Sequence, residues 1–244
     1  MFKKNLQFSF AFLSIFILQL ISESHQLTAK LILDDFYYIL KPSITISLML
    51  YVAFNTQLKG RFSKRIFAGL LFGLFGDCFL MFVHVDPNFF SYGLVSFLIG
   101  HILYIAAFYL DYKWQPGIEK RASWLALVIF GVFCIGFYMY LRPYLDTLKI
   151  PVMIYAFVIS LMAVMAVNRK GRVNTLSYNL IFYGAIFFLI SDSVLAYNKF
   201  VSSIKFAGIA IMSTYMAAQY LITIGAIERK LKKHSVIDTE EGLK

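Results

Sequence analysis

Gly69 to Leu80 reads GLLFGLFGDCFL. The run is too apolar for anything but a membrane span, yet it holds a carboxylate, Asp77. Gly184 to Leu195, GAIFFLISDSVL, repeats the arrangement with Asp192. An aspartate at the centre of a membrane helix costs about 2.5–3.5 kcal/mol on insertion scales. Two of them in similar settings point to a buried polar site.

The rest of the chain agrees with a membrane setting. It has 244 residues, 60% of them hydrophobic and only 15% charged, and a mean hydropathy of +0.72. A soluble domain of that length cannot hide so much apolar surface. The apolar runs approach helix-spanning length and lack strand-type alternation, which argues against a β-barrel. The reading is all-α: a polytopic membrane protein of about eight transmembrane helices. They are expected near residues 6–21, 36–54, 66–83, 92–110, 122–141, 150–167, 178–197 and 204–227. The first resembles a signal peptide in its basic start. A retained span is preferred, because removal leaves an odd number of helices. Residues 1–228 then form one membrane domain and 229–244 a charged, solvated tail.

The net charge of +10 invites a nucleic-acid reading, but its placement favours topology. Lys3, Lys4, Lys59, Arg61, Lys64, Arg65, Lys113, Lys120, Arg121, Arg169, Lys170, Arg172, Arg229, Lys230, Lys232, Lys233 and Lys244 fall on one side. Lys30, Arg142, Lys149, Lys199 and Lys205 fall on the other. The positive-inside rule then puts both termini in the cytoplasm. No nucleic-acid partner is expected.

In that orientation Asp77 lies about 16 Å along its helix at ~1.5 Å per residue. Asp192, His101 and Lys41 also fall between the midplane and the non-cytoplasmic face, a depth at which they can share one pocket. A shift of 115 residues lays Gly69 on Gly184, Asp77 on Asp192, Leu80 on Leu195, Gly93 on Gly208 and Tyr104 on Gln219. This suggests a parallel repeat, four helices plus four, with the aspartates facing each other across a pseudo-two-fold axis.

Each polar residue has a plain reading beside the functional one. Gly69, Gly73 and Gly76 allow another helix backbone to approach closely. Asp77 either accepts an interhelical hydrogen bond from a Ser or Tyr or acts as a catalytic or ion-binding carboxylate. Asp192 has the same alternatives, with Ser191 and Ser193 as local donors. Lys41 either snorkels to the interface or serves as a counter-ion or phosphate contact. His101 either packs with a hydrogen bond or takes part in catalysis; Tyr104 shares its face. Tyr215 and Gln219 are an i, i+4 pair able to line the same cavity. Cys78 and Cys134 read as packing residues rather than a disulfide or metal pair. No HExxH, GxSxG, P-loop or Cys/His cluster is present, and no metal is expected.

Together the segments RIFAGLLFGLFGDCFLMF, FFSYGLVSFLIGHILYIAAF, GAIFFLISDSVLAYNKF and IMSTYMAAQYLITIGAIE carry a resemblance. Their Gly-Asp, Gly-His-xx-Tyr and Ser-Asp…Ala-xx-Lys-Phe elements, in order over about 36–228, resemble the lysoplasmalogenase (YhhN-type) membrane proteins, most closely the animal members. The resemblance implies an eight-span hydrolase that cleaves the vinyl ether of lysoplasmalogens. The products are a fatty aldehyde and glycerophosphocholine or glycerophosphoethanolamine. It carries the family's two membrane aspartates onto Asp77 and Asp192, favours the endoplasmic reticulum membrane, and calls for no cofactor. Lys41, His101, Tyr104, Lys199, Tyr215 and Gln219 are expected on the substrate-binding side.

The chemistry suits two carboxylates. An acid protonates the carbon β to the ether oxygen, and a carboxylate stabilises the oxocarbenium ion and guides water, as in a glycosidase. The rival class is a proton- or cation-coupled transporter using the same aspartates. A third is a lipid-binding scaffold that tolerates their neutral replacement.

Overall fold

The computed structural model describes residues 2–25, 34–115 and 117–232. Side chains are described from Asn5 to Ser22 and from Tyr38 onward within those ranges. The tail beyond Lys232 and Lys30 lie outside the described residues, as do the side chains of Lys3 and Lys4. Among the described residues the chain forms eight α-helices and no strand: α1 (Phe2–His25), α2 (Asp34–Thr56), α3 (Gly60–Met81), α4 (Asn88–Trp114), α5 (Lys120–Leu141), α6 (Lys149–Val167), α7 (Thr175–Phe200) and α8 (Ala207–Ile227).

Seven of these helices are long and apolar enough to cross a membrane. The exception is α3, whose length includes Lys64, Arg65 and Asp77. It packs between α2 and α4 and begins at Gly60, ahead of its expected start, because its basic first turn is also helical. The lipid-facing sides stay apolar, as at Phe10, Phe54, Trp124, Val132 and Phe157, all exposed. Burying apolar surface drives no folding within lipid, so close packing and interhelical hydrogen bonds must hold the bundle.

The strongest helix pairs are α3 with α4 and α7 with α8. Helix α2 also packs on α8, and α6 on α4. Helices α2 and α6 start at Asp34 and Lys149, α3 and α7 at Gly60 and Thr175. The Asn5 amide donates to Glu228 at 2.9 Å, so the start of α1 and the end of α8 lie at the same end of the bundle.

That end carries a buried ionic cluster. Asp111, at the end of α4, is wholly buried, as is Arg169 in the α6–α7 connection. Arg169 Nε donates to Asp111 at 2.8 Å, and Arg229 donates to its other oxygen. Arg169 also donates to the Ser177 carbonyl at 3.1 Å and its hydroxyl at 2.8 Å. Ser177 passes its own proton to the Gly225 carbonyl at 2.6 Å. Arg172 caps the carbonyls of Gln115, Asn168 and Ile118 at 2.6–2.7 Å. The sequence reading counts Arg169, Arg172 and Arg229 only as loop cations that set topology. In the structure Arg169 and Arg172 are fully buried and, with Arg229, bind α4, α7 and α8 together.

Candidate active site

In the half of the bundle away from the ionic cluster the two aspartates line one cavity of about 130 Å³. Lys41, Ser191 and Tyr215 share its wall. At about 30 Å³ per liquid water the space holds roughly four waters. Lys41 is buried, at 7% exposure, and its charge acts on Asp77. It projects inward from α2 instead of snorkelling. Pro42 beside it lies inside α2 and leaves the helix one backbone donor short at this level.

Asp77 Oδ2 accepts from the Tyr215 hydroxyl at 2.8 Å and from Thr45 Oγ1 at 3.3 Å. Behind Tyr215 runs a chain of donors. Tyr104 donates to Gln219 Oε1 at 2.7 Å, and Gln219 Nε2 donates to the Tyr215 oxygen at 3.0 Å. Every proton in this buried relay points towards Asp77, so the bonds polarise one another in the same sense. The relay needs room on α3, and the glycines supply it. A Cβ on Gly73 would stand 2.6 Å from Gln219 Nε2, and one on Gly69 2.5 Å from the Tyr104 ring. The small residues therefore admit the side chains of the relay. The close backbone approach falls to Gly100, whose Cβ would meet the Gly69 carbonyl at 3.2 Å.

Asp192 has different company. The Tyr155 hydroxyl of α6 donates to its Oδ2 at 2.5 Å, and His101 Nε2 lies 3.8 Å from the same oxygen. The His101 ring stands edge-on to Tyr155 and Phe188, and its Nδ1 is buried without a hydrogen-bond partner. Ser191 and Ser193 do not serve Asp192. Ser191 donates across to the Ile211 carbonyl of α8 at 3.1 Å, and Ser193 donates back to the Leu189 carbonyl one turn earlier at 2.6 Å, a bond that a helical serine readily makes.

Of the residues expected on the substrate side, Lys41 and Tyr215 line the cavity, and Tyr104 and Gln219 stand behind Tyr215. His101 stands behind Asp192. Lys199 is exposed, with its ammonium 4.8 Å from the centre of the Phe90 ring, and does not line the cavity. Cys78 and Cys134 are free and partly buried.

Two contributors escape the sequence reading. Thr45 and Tyr155 are hydroxyls within apolar helices, and nothing in a single sequence sets Tyr155 apart from the chain's other tyrosines, 16 in all. The 115-residue shift brings Thr45 opposite Ser160 and so offers a weak signal for Thr45. It offers none for Tyr155, which falls opposite Leu40.

Residues 36–226 match the YhhN family. The chain belongs to that family. It is 32% identical over 175 residues to cattle (Bos taurus) lysoplasmalogenase TMEM86A, covering 69% of this chain and 67% of that one. It is 32% identical over 150 residues to mouse (Mus musculus) lysoplasmalogenase TMEM86B, covering 61% and 59%. A lysoplasmalogenase of Mycobacterium bovis is 29% identical over 168 residues, covering 68% and 61%. The matches thus span about three fifths to two thirds of the relatives' lengths. No solved structure matches the chain. A YhhN family member with eight long helices, seven of them clearly apolar enough to span, is a multi-pass membrane protein.

Proposed function

We propose that this protein hydrolyses the vinyl-ether bond of lysoplasmalogens, releasing a fatty aldehyde and the glycerophospho-base. Its relatives are named for that activity. The observation that carries the reading is the single cavity walled by Asp77, Asp192 and Lys41. Vinyl-ether hydrolysis needs one carboxylic acid to protonate carbon and one carboxylate to steady the cation and accept a proton from water. Two carboxyls on the wall of one buried cavity supply both roles, one as the acid and one as the carboxylate. Lys41 offers a point charge for the substrate's phosphate or for one carboxylate. No cofactor enters this chemistry.

The endoplasmic reticulum membrane, with both termini cytoplasmic, is part of the proposal. So is the parallel repeat. Helices α2 and α6 start 115 residues apart, as do α3 and α7, and Tyr104 and Gln219, superposed by the same shift, bond each other. The test is aldehyde release by the purified protein from an alkenyl lysophospholipid, run beside its saturated alkyl-ether analogue. The expected result is aldehyde and glycerophospho-base in equal amounts from the first and neither from the second. Folded protein that releases no aldehyde overturns the reading.

A further inference from the structure

A second, smaller pocket adjoins the cavity. Leu80, Phe97, Asp192 and Leu195 line both spaces, but Asp77 and Lys41 line only the first. The second pocket is otherwise largely apolar, walled by Phe90, Leu94, Val152, Ala196 and Phe200 from α4, α6 and α7, with Tyr155 also in its wall. Its volume of about 30 Å³ admits one water-sized group. Leu94, Ala196 and Phe200 are only partly buried, so the wall of this pocket reaches the surface of the bundle. Phe90 and Phe200 meet edge to face at 5.7 Å, and Lys199 covers Phe90.

The substrate has the same polarity as the pair of pockets. Its vinyl ether joins an apolar chain on one side to a glycerophosphate on the other. The carbon that takes the proton is on the chain side of the carbon that water attacks. We infer that the apolar pocket takes the alkenyl chain, so that Asp192 protonates the chain-side vinyl carbon and Asp77 takes the proton of the attacking water. This rests on the vinyl-ether reading of the site. The polar cavity, with Lys41, then receives the glycerophosphate end.

The protons balance over the cycle. Protonated Asp192 gives its proton to the chain-side carbon; the double bond becomes a C–H bond and the adjacent carbon an oxocarbenium centre. Water forms a C–O bond to that centre and loses a proton to Asp77, leaving a hemiacetal. Asp77 returns this proton to the ether oxygen as the C–O bond to glycerol breaks. Asp192 takes the remaining hydroxyl proton as the aldehyde forms, and both residues end as they began. Tyr155 is a positioning residue for Asp192, holding the oxygen that His101 also approaches.

Two measurements test the assignment. In Ala196→Phe the added ring fills the chain pocket. The kcat/KM for a long-chain alkenyl lysolipid should fall about tenfold or more relative to a short-chain one. The ratio comes from one preparation, so partial misfolding does not mimic it, and Val152→Phe gives a second reading. An unchanged ratio in both variants overturns the chain pocket. The second measurement is binding of a lysolipid analogue with a secondary ammonium in place of the ether oxygen. Asp77→Asn should weaken binding about tenfold or more, and Asp192→Asn should do so less than about threefold, as expected when only one carboxylate is the cation's partner. Equal or reversed losses overturn the role assignment. A wild type that releases no aldehyde overturns the functional reading itself. A wild type that releases it with the variant results reversed overturns this inference alone.

Discussion

Asp111 and Asp192 are acids in the same bundle with opposite surroundings. Asp111 is wholly enclosed and met by two guanidiniums, one of which goes on to bond Ser177. Its charge is neutralised and no cavity adjoins it among the described pockets. Asp192, about 22 Å further along α7 than Ser177 at ~1.5 Å per residue, has a tyrosine hydroxyl, a histidine at 3.8 Å and open space beside it. The first arrangement uses both carboxyl oxygens to hold helices together. The second leaves a carboxyl oxygen facing a cavity. Burial of an acid in a membrane bundle does not by itself mark function; what the acid is left free to touch does.

Substitutions divide along the same line. The largest effect is expected for Asp192→Asn and Asp77→Asn, which should lower turnover by about 10²–10⁴-fold. Asp192→Asn should not lower the unfolding temperature, because it removes a carboxyl that is costly to bury, whereas Asp77→Asn should lower it by leaving buried Lys41 without the carboxylate that shares its cavity. Aldehyde assays and thermal unfolding in detergent check both halves. Asp111→Asn should do the reverse. It leaves two guanidiniums short of a counter-charge, at a cost of about 3–5 kcal/mol in stability, with turnover per folded molecule unchanged.

Tyr155→Phe comes next. It should cost about 10–100-fold in kcat by removing a bond to a group that changes charge, with the unfolding temperature nearly fixed. Gly73→Ala forces Gln219 aside and should destabilise by about 1–3 kcal/mol, lowering turnover several-fold. Ser177→Ala has the smallest effect on turnover, none, while it leaves Arg169 and the Gly225 carbonyl each one partner short, at a cost of about 1–3 kcal/mol in stability.

The sequence exposes the site well where charge is scarce. Asp77, Asp192 and Lys41 stand out because each is charged within an apolar run, and their matching depth points to one pocket. The sequence hides what is ordinary in composition. Tyr155 is one tyrosine in an aromatic-rich chain. Arg169 and Arg229 sit among exposed loop cations such as Lys170 and Lys230, and only packing separates buried ties from topology signals. The glycine face of α3 is legible as small residues but not as the socket for Tyr104 and Gln219, which stand on other helices, α4 and α8. Helix positions follow directly from hydropathy. The start of α3 does not, because Arg61 and Lys64 are helical at the interface where apolarity ends.

The most direct test sets Asp192→Asn beside Asp111→Asn in one experiment, measuring aldehyde release and thermal unfolding on the same purified samples. The account predicts a folded Asp192→Asn protein whose aldehyde release falls by about a hundredfold or more, and an Asp111→Asn protein that unfolds earlier while its folded fraction still turns over. Full aldehyde release by Asp192→Asn would contradict it.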